Sequence, residues 1–162
     1  MFSNTKYKTR NNEILKMDTL IYCRTSDKNP INSKKSIATQ EEICLAEAKK
    51  LGCSNITIIK DEGESATNLD RPGMKKIMEL CENKKADQII TIGYGRLSKN
   101  IKDHIFLREF FKQHNVKVHC VSQPDACDFI DDTIKAITEY QKSQIITLMN
   151  QKYEILFADE KS

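Results

Sequence analysis

Arg24 and Ser26 stand two residues apart, just past the apolar run Thr19-Leu20-Ile21-Tyr22-Cys23. A serine hydroxyl alone is a weak nucleophile. A permanent guanidinium charge beside it would hold an anionic ester in reach, and phosphate suits that planar fork well. Three other stretches bear on the same chemistry. Residues 61–73 read D-E-G-E-S-A-T-N-L-D-R-P-G, a polar loop expected to be mobile, which delivers Arg71 to a helix start marked by Pro72. Residues 95–100 read G-R-L-S-K-N and bring Arg96 and Lys99 out just after another apolar run. Ser36-Ile37-Ala38-Thr39-Gln40 opens a helix with an N-cap-like serine and Gln40 one turn in. Each feature alone is commonplace: a serine can simply cap a helix, and an arginine at a helix start can simply be solvated. Together they place Arg24, Arg71, Arg96 and Lys99 around one serine. Four like charges repel, so a structural protein has no use for the arrangement. A phosphodiester passing through a dianionic, five-coordinate state does. No acidic cluster with metal-ligand spacing accompanies them, so metal-assisted hydrolysis fits less well and neither metal nor other cofactor is expected.

The elements that must position these residues alternate in hydrophobic period. Strands are expected over residues 19–23, 56–60, 88–94 and 116–122. Helices are expected from Ser36 to Leu51, from Pro72 to Cys81, and from Ile101 to His114. Strands alternating with helices give an α/β fold, a doubly wound, mostly parallel sheet of four or five strands flanked by helices. Open sheets of this kind bind ligands at the carboxyl ends of their strands, where Arg24, Ser26 and Arg96 fall. A last helix is expected from Asp131 to about Leu156, about 25 residues or 38 Å at the standard rise. Its apolar residues Ile130, Ile134, Ile137, Ile145 and Leu148, interrupted by Gln141 and Gln144, recur at helical spacing. Such a stripe is covered either by the domain's own sheet or by a second copy of the chain.

The chain has 162 residues, enough for one domain with a real core. Its net charge of +3 lies in residues 1–17, where Lys6, Lys8, Arg10 and Lys16 face Glu13 alone. The rest is balanced, so an acidic polymer would be met by a local cationic site and not by a global field. That polar opening reads as a disordered leader, with no secretion signal. No apolar run approaches the roughly 18 residues of a membrane span. The six cysteines have no C-x-x-C spacing and lie mostly within apolar runs, which points to reduced thiols and a cytoplasmic setting.

The motif Y-x-R-x-S at Tyr22, Arg24 and Ser26 joins the S-x-x-x-Q opening at Ser36 and Gln40 and the loop from Asp61 to Gly73. With the x-R-L-S-x-N turn and the long last helix, these resemble the serine site-specific recombinases, the resolvase/invertase family, over about residues 18–150. The resemblance implies a catalytic domain at 18–128 and an oligomerisation helix at 129–157. It implies that Ser26 attacks a phosphodiester of double-stranded DNA, giving a 5′-phosphoserine link and a free 3′-hydroxyl, without ATP or metal. Arg24, Arg71, Arg96 and Lys99 match the family's phosphate-binding cations, and Gln40 and Asp61 match supporting polar positions. A homodimer is implied, with a tetramer in synapsis and a nucleoid-associated location if the source is bacterial. Two departures stand out. Gly95 occupies the place of an Asp that many members carry, where one branch has Ser, and Lys99 replaces a usual Arg. No DNA-binding module is expected after the last helix. The chain is therefore expected to be a catalytic fragment, a naturally short protein, or a subunit whose DNA reader comes from a separate partner. The competing expectation is a non-catalytic relative that dimerises and regulates a recombinase assembly.

Overall fold

The computed structural model describes residues 9–10, 13–14, 17–122 and 139–157. Within the expected leader, β1 (Thr9–Arg10) and β2 (Glu13–Ile14) pair antiparallel, with Thr9 opposite Ile14. The body holds β3 (Asp18–Thr25), α1 (Pro30–Lys50), β4 (Asn55–Glu62), α2 (Pro72–Glu82), β5 (Gln88–Thr91), α3 (Ile101–Gln113) and β6 (Lys117–Cys120), with α4 (Glu139–Phe157) last. The sheet has four parallel strands in the order β4-β3-β5-β6, flanked by the helices. The strand after β3 is added on one side of it and the next on the other. The topological switch point therefore lies between β3 and β5, the place where open sheets of this kind bind ligands.

Strand alternation divides the core in two. Leu20, Tyr22 and Ile89 face one layer, where they meet Met74, Ile77, Met78 and Cys81 of α2 and Phe106, Leu107, Phe110 and Phe111 of α3. Ile21, Cys23 and Ile90 face the other, against Ile37, Cys44 and Ala48 of α1. Cys23, Cys44, Cys53, Cys81 and Cys120 are free thiols.

Several boundaries differ from the sequence reading. α1 begins at Pro30, six residues before Ser36. Its cap is Asn29, whose Oδ1 accepts from the N–H groups of Ile31 (3.0 Å) and Asn32 (3.3 Å). Ser36 is a mid-helix residue, because Asn29-Pro30 is the stronger start signal, a side-chain acceptor followed by a residue with preset φ. β4 runs two residues further than expected, so Asp61 is a strand residue opposite Arg24. β5 stops at Thr91, short of Tyr94, because the chain turns into a single 3₁₀ turn at Tyr94–Arg96.

α4 packs against α3 and the core through Ile145, Met149, Tyr153 and Leu156. The Tyr153 ring lies 5.9 Å from that of Phe106 and 5.8 Å from that of Phe110. The expected stripe is thus split: Ile145 turns to the chain's own core, whereas Leu148 is exposed. Cys127, Ile130, Ile134 and Ile137 lie outside the described residues. No helix among the described residues is long and apolar enough to cross a membrane.

Candidate active site

The end of β3 is shaped by short polar turns. The Asp27 N–H donates to Thr25 Oγ1 (3.2 Å), and the Asn29 N–H donates to Asp27 Oδ1 (2.8 Å). These bonds carry the chain from strand to helix and leave Ser26 exposed just past the end of β3.

Arg24, two residues earlier, is buried at 1 % exposure. Its guanidinium donates from Nε to the carbonyl of Arg96 (3.1 Å), from Nη1 to that of Glu64 (2.6 Å) and from Nη2 to that of Gly95 (3.2 Å). Burial lowers its pKa from the ordinary arginine value, and the nearby charges of Arg71 and Arg96 add to this, while Tyr22 and Asp61 oppose it. Its backbone is held by Gln40: the Arg24 N–H donates to Oε1 and Gln40 Nε2 donates to the Arg24 carbonyl, both at 3.1 Å. Arg96 Nη1 donates to that same carbonyl at 3.1 Å.

Arg71 is likewise buried at 1 % exposure. Its Nε donates to the hydroxyl of Tyr22 (2.8 Å) and lies 3.4 Å from Asp61 Oδ2. Tyr22 in turn donates to Asp61 Oδ2 at 2.6 Å. The Nη groups donate to the carbonyls of Asn68, Leu97 and Arg96, the last at 3.4 Å. The Arg96 carbonyl therefore receives both Arg24 and Arg71. Asp61 Oδ1 accepts the Gly73 N–H at 2.7 Å. A Cβ on Gly73 would stand 2.7 Å from Asp61 Oδ2, so only glycine lets the start of α2 approach the carboxylate this closely.

The structure thus brings Arg24, Arg71, Arg96, Gln40 and Asp61 into one cluster at the switch point, with Ser26 beside it. Lys99 is exposed on the same turn, and its backbone N–H donates to the Ala66 carbonyl at 3.0 Å. The loop that delivers Arg71 differs from expectation. It is anchored, not open: Ala66 and Leu69 are buried, the Glu64 N–H donates to the Thr25 carbonyl (2.9 Å), and Arg71 sits in an ion pair inside the protein. Two apolar side chains hidden in a polar stretch join these bonds in pinning it.

Tyr22 is the member of this cluster to which the motif reading assigned no role. Its signal was strand parity: residues 22 and 24 face the same layer. Burial raises the pKa of its hydroxyl far above the ordinary tyrosine value, so it remains a neutral phenol that can donate and accept at once.

The site is thus a cluster of guanidinium groups with an exposed hydroxyl beside it, at the switch point of a doubly wound parallel sheet. The chain belongs to the resolvase family: the family described as "Resolvase, N terminal domain" matches residues 19–161. It is 26% identical over 130 residues to a Bacillus subtilis (strain 168) protein named "Putative DNA recombinase" and spans about a quarter of that protein's length, the match covering 77% of this chain and 25% of the relative. Among solved structures, it superposes on the N-terminal catalytic domain of TP901-1 integrase with a TM-score of 0.61 at 21% identity, covering 88% of this chain and 98% of that one. The C-terminal catalytic domain of ISC1926 TnpA, an IS607-like serine recombinase, gives a TM-score of 0.57 at 22% identity, with 88% and 96% covered. A resolvase family site-specific recombinase from Streptococcus pneumoniae gives 0.57 at 17% identity, with 90% and 91% covered. At these identities the likeness is one of fold.

Proposed function

We propose that this chain cleaves and rejoins double-stranded DNA in site-specific recombination, with Ser26 as nucleophile. The observation that carries the reading is the convergence of Arg24, Arg71 and Arg96 on the Arg24 and Arg96 carbonyls, beside an exposed serine. In the proposed step, Ser26 Oγ forms a bond to phosphorus while the bond to the 3′-oxygen breaks. One proton leaves the serine and one joins the departing oxygen. The ester bond is conserved in a 5′-phosphoserine link, so the reverse attack by a 3′-hydroxyl needs no external energy. Arg24, Arg71, Arg96 and Lys99 stabilise the charge that develops on the phosphate oxygens. Gln40 and Asp61 hold the arginines' surroundings in place. Pairing of two chains, and of two pairs in synapsis, is supported by the outward apolar residues of α4, Tyr140, Leu148 and Ile155.

The buried guanidinium groups are satisfied by main-chain carbonyls of the 95–97 turn and its neighbours. Presenting them to a phosphate at Ser26 requires those carbonyls to be exchanged for phosphate oxygens.

The test is incubation with a supercoiled plasmid carrying the DNA that flanks the protein's own coding sequence, followed by denaturation and detection of protein on 5′ ends. A 5′ adduct with the wild type, absent with Ser26→Ala, is the expected result. An adduct that persists with Ser26→Ala would overturn the assignment of the nucleophile. No adduct with either chain would favour the non-catalytic relative.

A further inference from the structure

Arg71 is held along two chemically different edges. Its Nε edge faces side chains, the Tyr22 hydroxyl at 2.8 Å and Asp61 Oδ2 at 3.4 Å. Among the described residues, its Nη edge faces main-chain carbonyls, those of Asn68, Arg96 and Leu97. The carbonyls belong to loops and are neutral, so a phosphodiester, anionic at rest and dianionic in its five-coordinate state, competes well against them. The side-chain edge is different. Tyr22 lies on β3 in the middle of the sheet, with no exposed surface, and Asp61 lies opposite Arg24 on β4. Both are fixed by strand backbone.

The bonds of the Tyr22 hydroxyl run in one direction only. Its single proton goes to Asp61 Oδ2 at 2.6 Å, because an ionised carboxylate can only accept. Its lone pair is then turned to the Arg71 Nε–H. Asp61 is held in turn by the Gly73 N–H at 2.7 Å, at the start of the helix that follows Arg71. The Arg71 guanidinium also lies toward the Tyr22 ring, with Cζ 5.8 Å from its centroid. Direction, distance and ring contact together leave the Nε edge one orientation.

We propose that Tyr22 is a positioning residue for Arg71: its buried hydroxyl tethers the Nε edge against Asp61, so that only the Nη edge passes from the main-chain carbonyls to a DNA phosphate. This rests on the phosphate-binding role proposed above for Arg71. Tyr22 itself touches no reacting atom and acts through the arginine. The tether explains how a buried arginine can leave one set of partners without losing its aim, since a pivot about a fixed edge moves only the part that binds.

The experiment uses the full chain with isotope-labelled arginine. Tyr22→Phe keeps the ring and its packing and removes only the hydroxyl. In the wild type the Arg71 Nε–H should exchange slowly with water, and Tyr22→Phe should speed that exchange by about tenfold or more, the worth of one hydrogen bond to a charged group. Asp61→Asn, which keeps an oxygen for the Gly73 N–H, should speed it as well and serves if Tyr22→Phe does not fold. Unchanged protection in the folded variants would overturn the tether. The second readout is the yield of 5′ adduct on the supercoiled plasmid described above. Tyr22→Phe should lower it by about 10- to 100-fold in the wild-type background. The same change made together with Arg71→Lys should lower it no further than about twofold relative to Arg71→Lys alone. Equal losses in both backgrounds would mean that Tyr22 acts on the fold and not through Arg71, and would overturn the proposal. If the wild type forms no adduct, the strand-cleavage reading fails by itself, and the Nε–H exchange alone decides the tether.

Discussion

The side-chain amide of Gln40 takes the place of a β-strand beside Arg24. β5 ends at Thr91, whose hydroxyl donates to the Tyr22 carbonyl at 3.0 Å. Arg24, two residues on, faces the same edge with no strand left to meet it. Gln40 fills that place with both halves of its amide, accepting from the Arg24 N–H and donating to the Arg24 carbonyl, each at 3.1 Å. Its second N–H goes to Ser36 Oγ at 3.2 Å, one helical turn earlier. A helix residue thereby completes the sheet next to the proposed nucleophile.

Gln40→Leu removes this clamp and leaves a buried N–H on Arg24 unpaired. The expected cost is about 1–3 kcal/mol of stability. Chemical denaturation should show a lower midpoint at unchanged slope. A midpoint equal to that of the wild type would mean that the backbone finds another partner.

Gly95 has room for a side chain, since nothing lies within 4 Å of a Cβ placed there. Gly95→Asp with Lys99→Arg restores the carboxylate and the guanidinium that the family's turn usually carries. If these departures limit the chemistry, 5′ adduct formation should rise by about 10²-fold, the lower end of what one preorganised donor is worth. An unchanged yield would show that the turn works as it stands.

His104 should make the domain sensitive to mild acid. It lies in the first turn of α3, half-buried, with its ring 5.7 Å from that of Tyr94 in the arginine-bearing turn. Burial lowers its pKa, and the Ser98 backbone only partly offsets that. The folded chain therefore binds this proton less readily than the unfolded chain. The associated stability is complete above the ordinary histidine pKa, about 6.5, and is lost as pH falls from there through the lower folded value. Thermal midpoints measured between neutral pH and about pH 5 should fall more for the wild type than for His104→Gln. Parallel curves would remove His104 from the account.

The outward residues of α4 offer a test of pairing that leaves the domain's own core alone. Leu148 and Ile155 are 64% and 76% exposed, whereas Met149 is 8% exposed. Leu148→Glu with Ile155→Glu should shift sedimentation toward the monomer with little change in thermal midpoint. Met149→Glu should instead unfold the packing of α4 on α3. A wild type that is monomeric at high concentration would refute pairing through this face.

Much of this domain was legible in its sequence because the signals are local. Alternating apolar periods located each of the sheet's strands and the helices that follow, and Pro72 marked the start of α2 to the residue. The spacing of Arg24 and Ser26 after an apolar run put them at a strand end, which the register confirms. What the sequence could not determine was where charged side chains go once the chain is compact. Arg71 read as an open loop cation and is a buried one, because Asp61, Tyr22 and the carbonyls of the 95–97 turn meet it from distant parts of the chain. Ser36 read as a cap and became a mid-helix partner of Gln40, because Asn29 competed for the helix start. The division of the α4 stripe into an inward Ile145 and an outward Leu148 depended on which side of the helix α3 came to occupy. Hydrophobic period is a property of neighbours along the chain, so it survives in the sequence. Hydrogen-bond partners of a buried guanidinium are mostly backbone atoms of remote segments, which every residue type carries alike, so only the tertiary structure could select them.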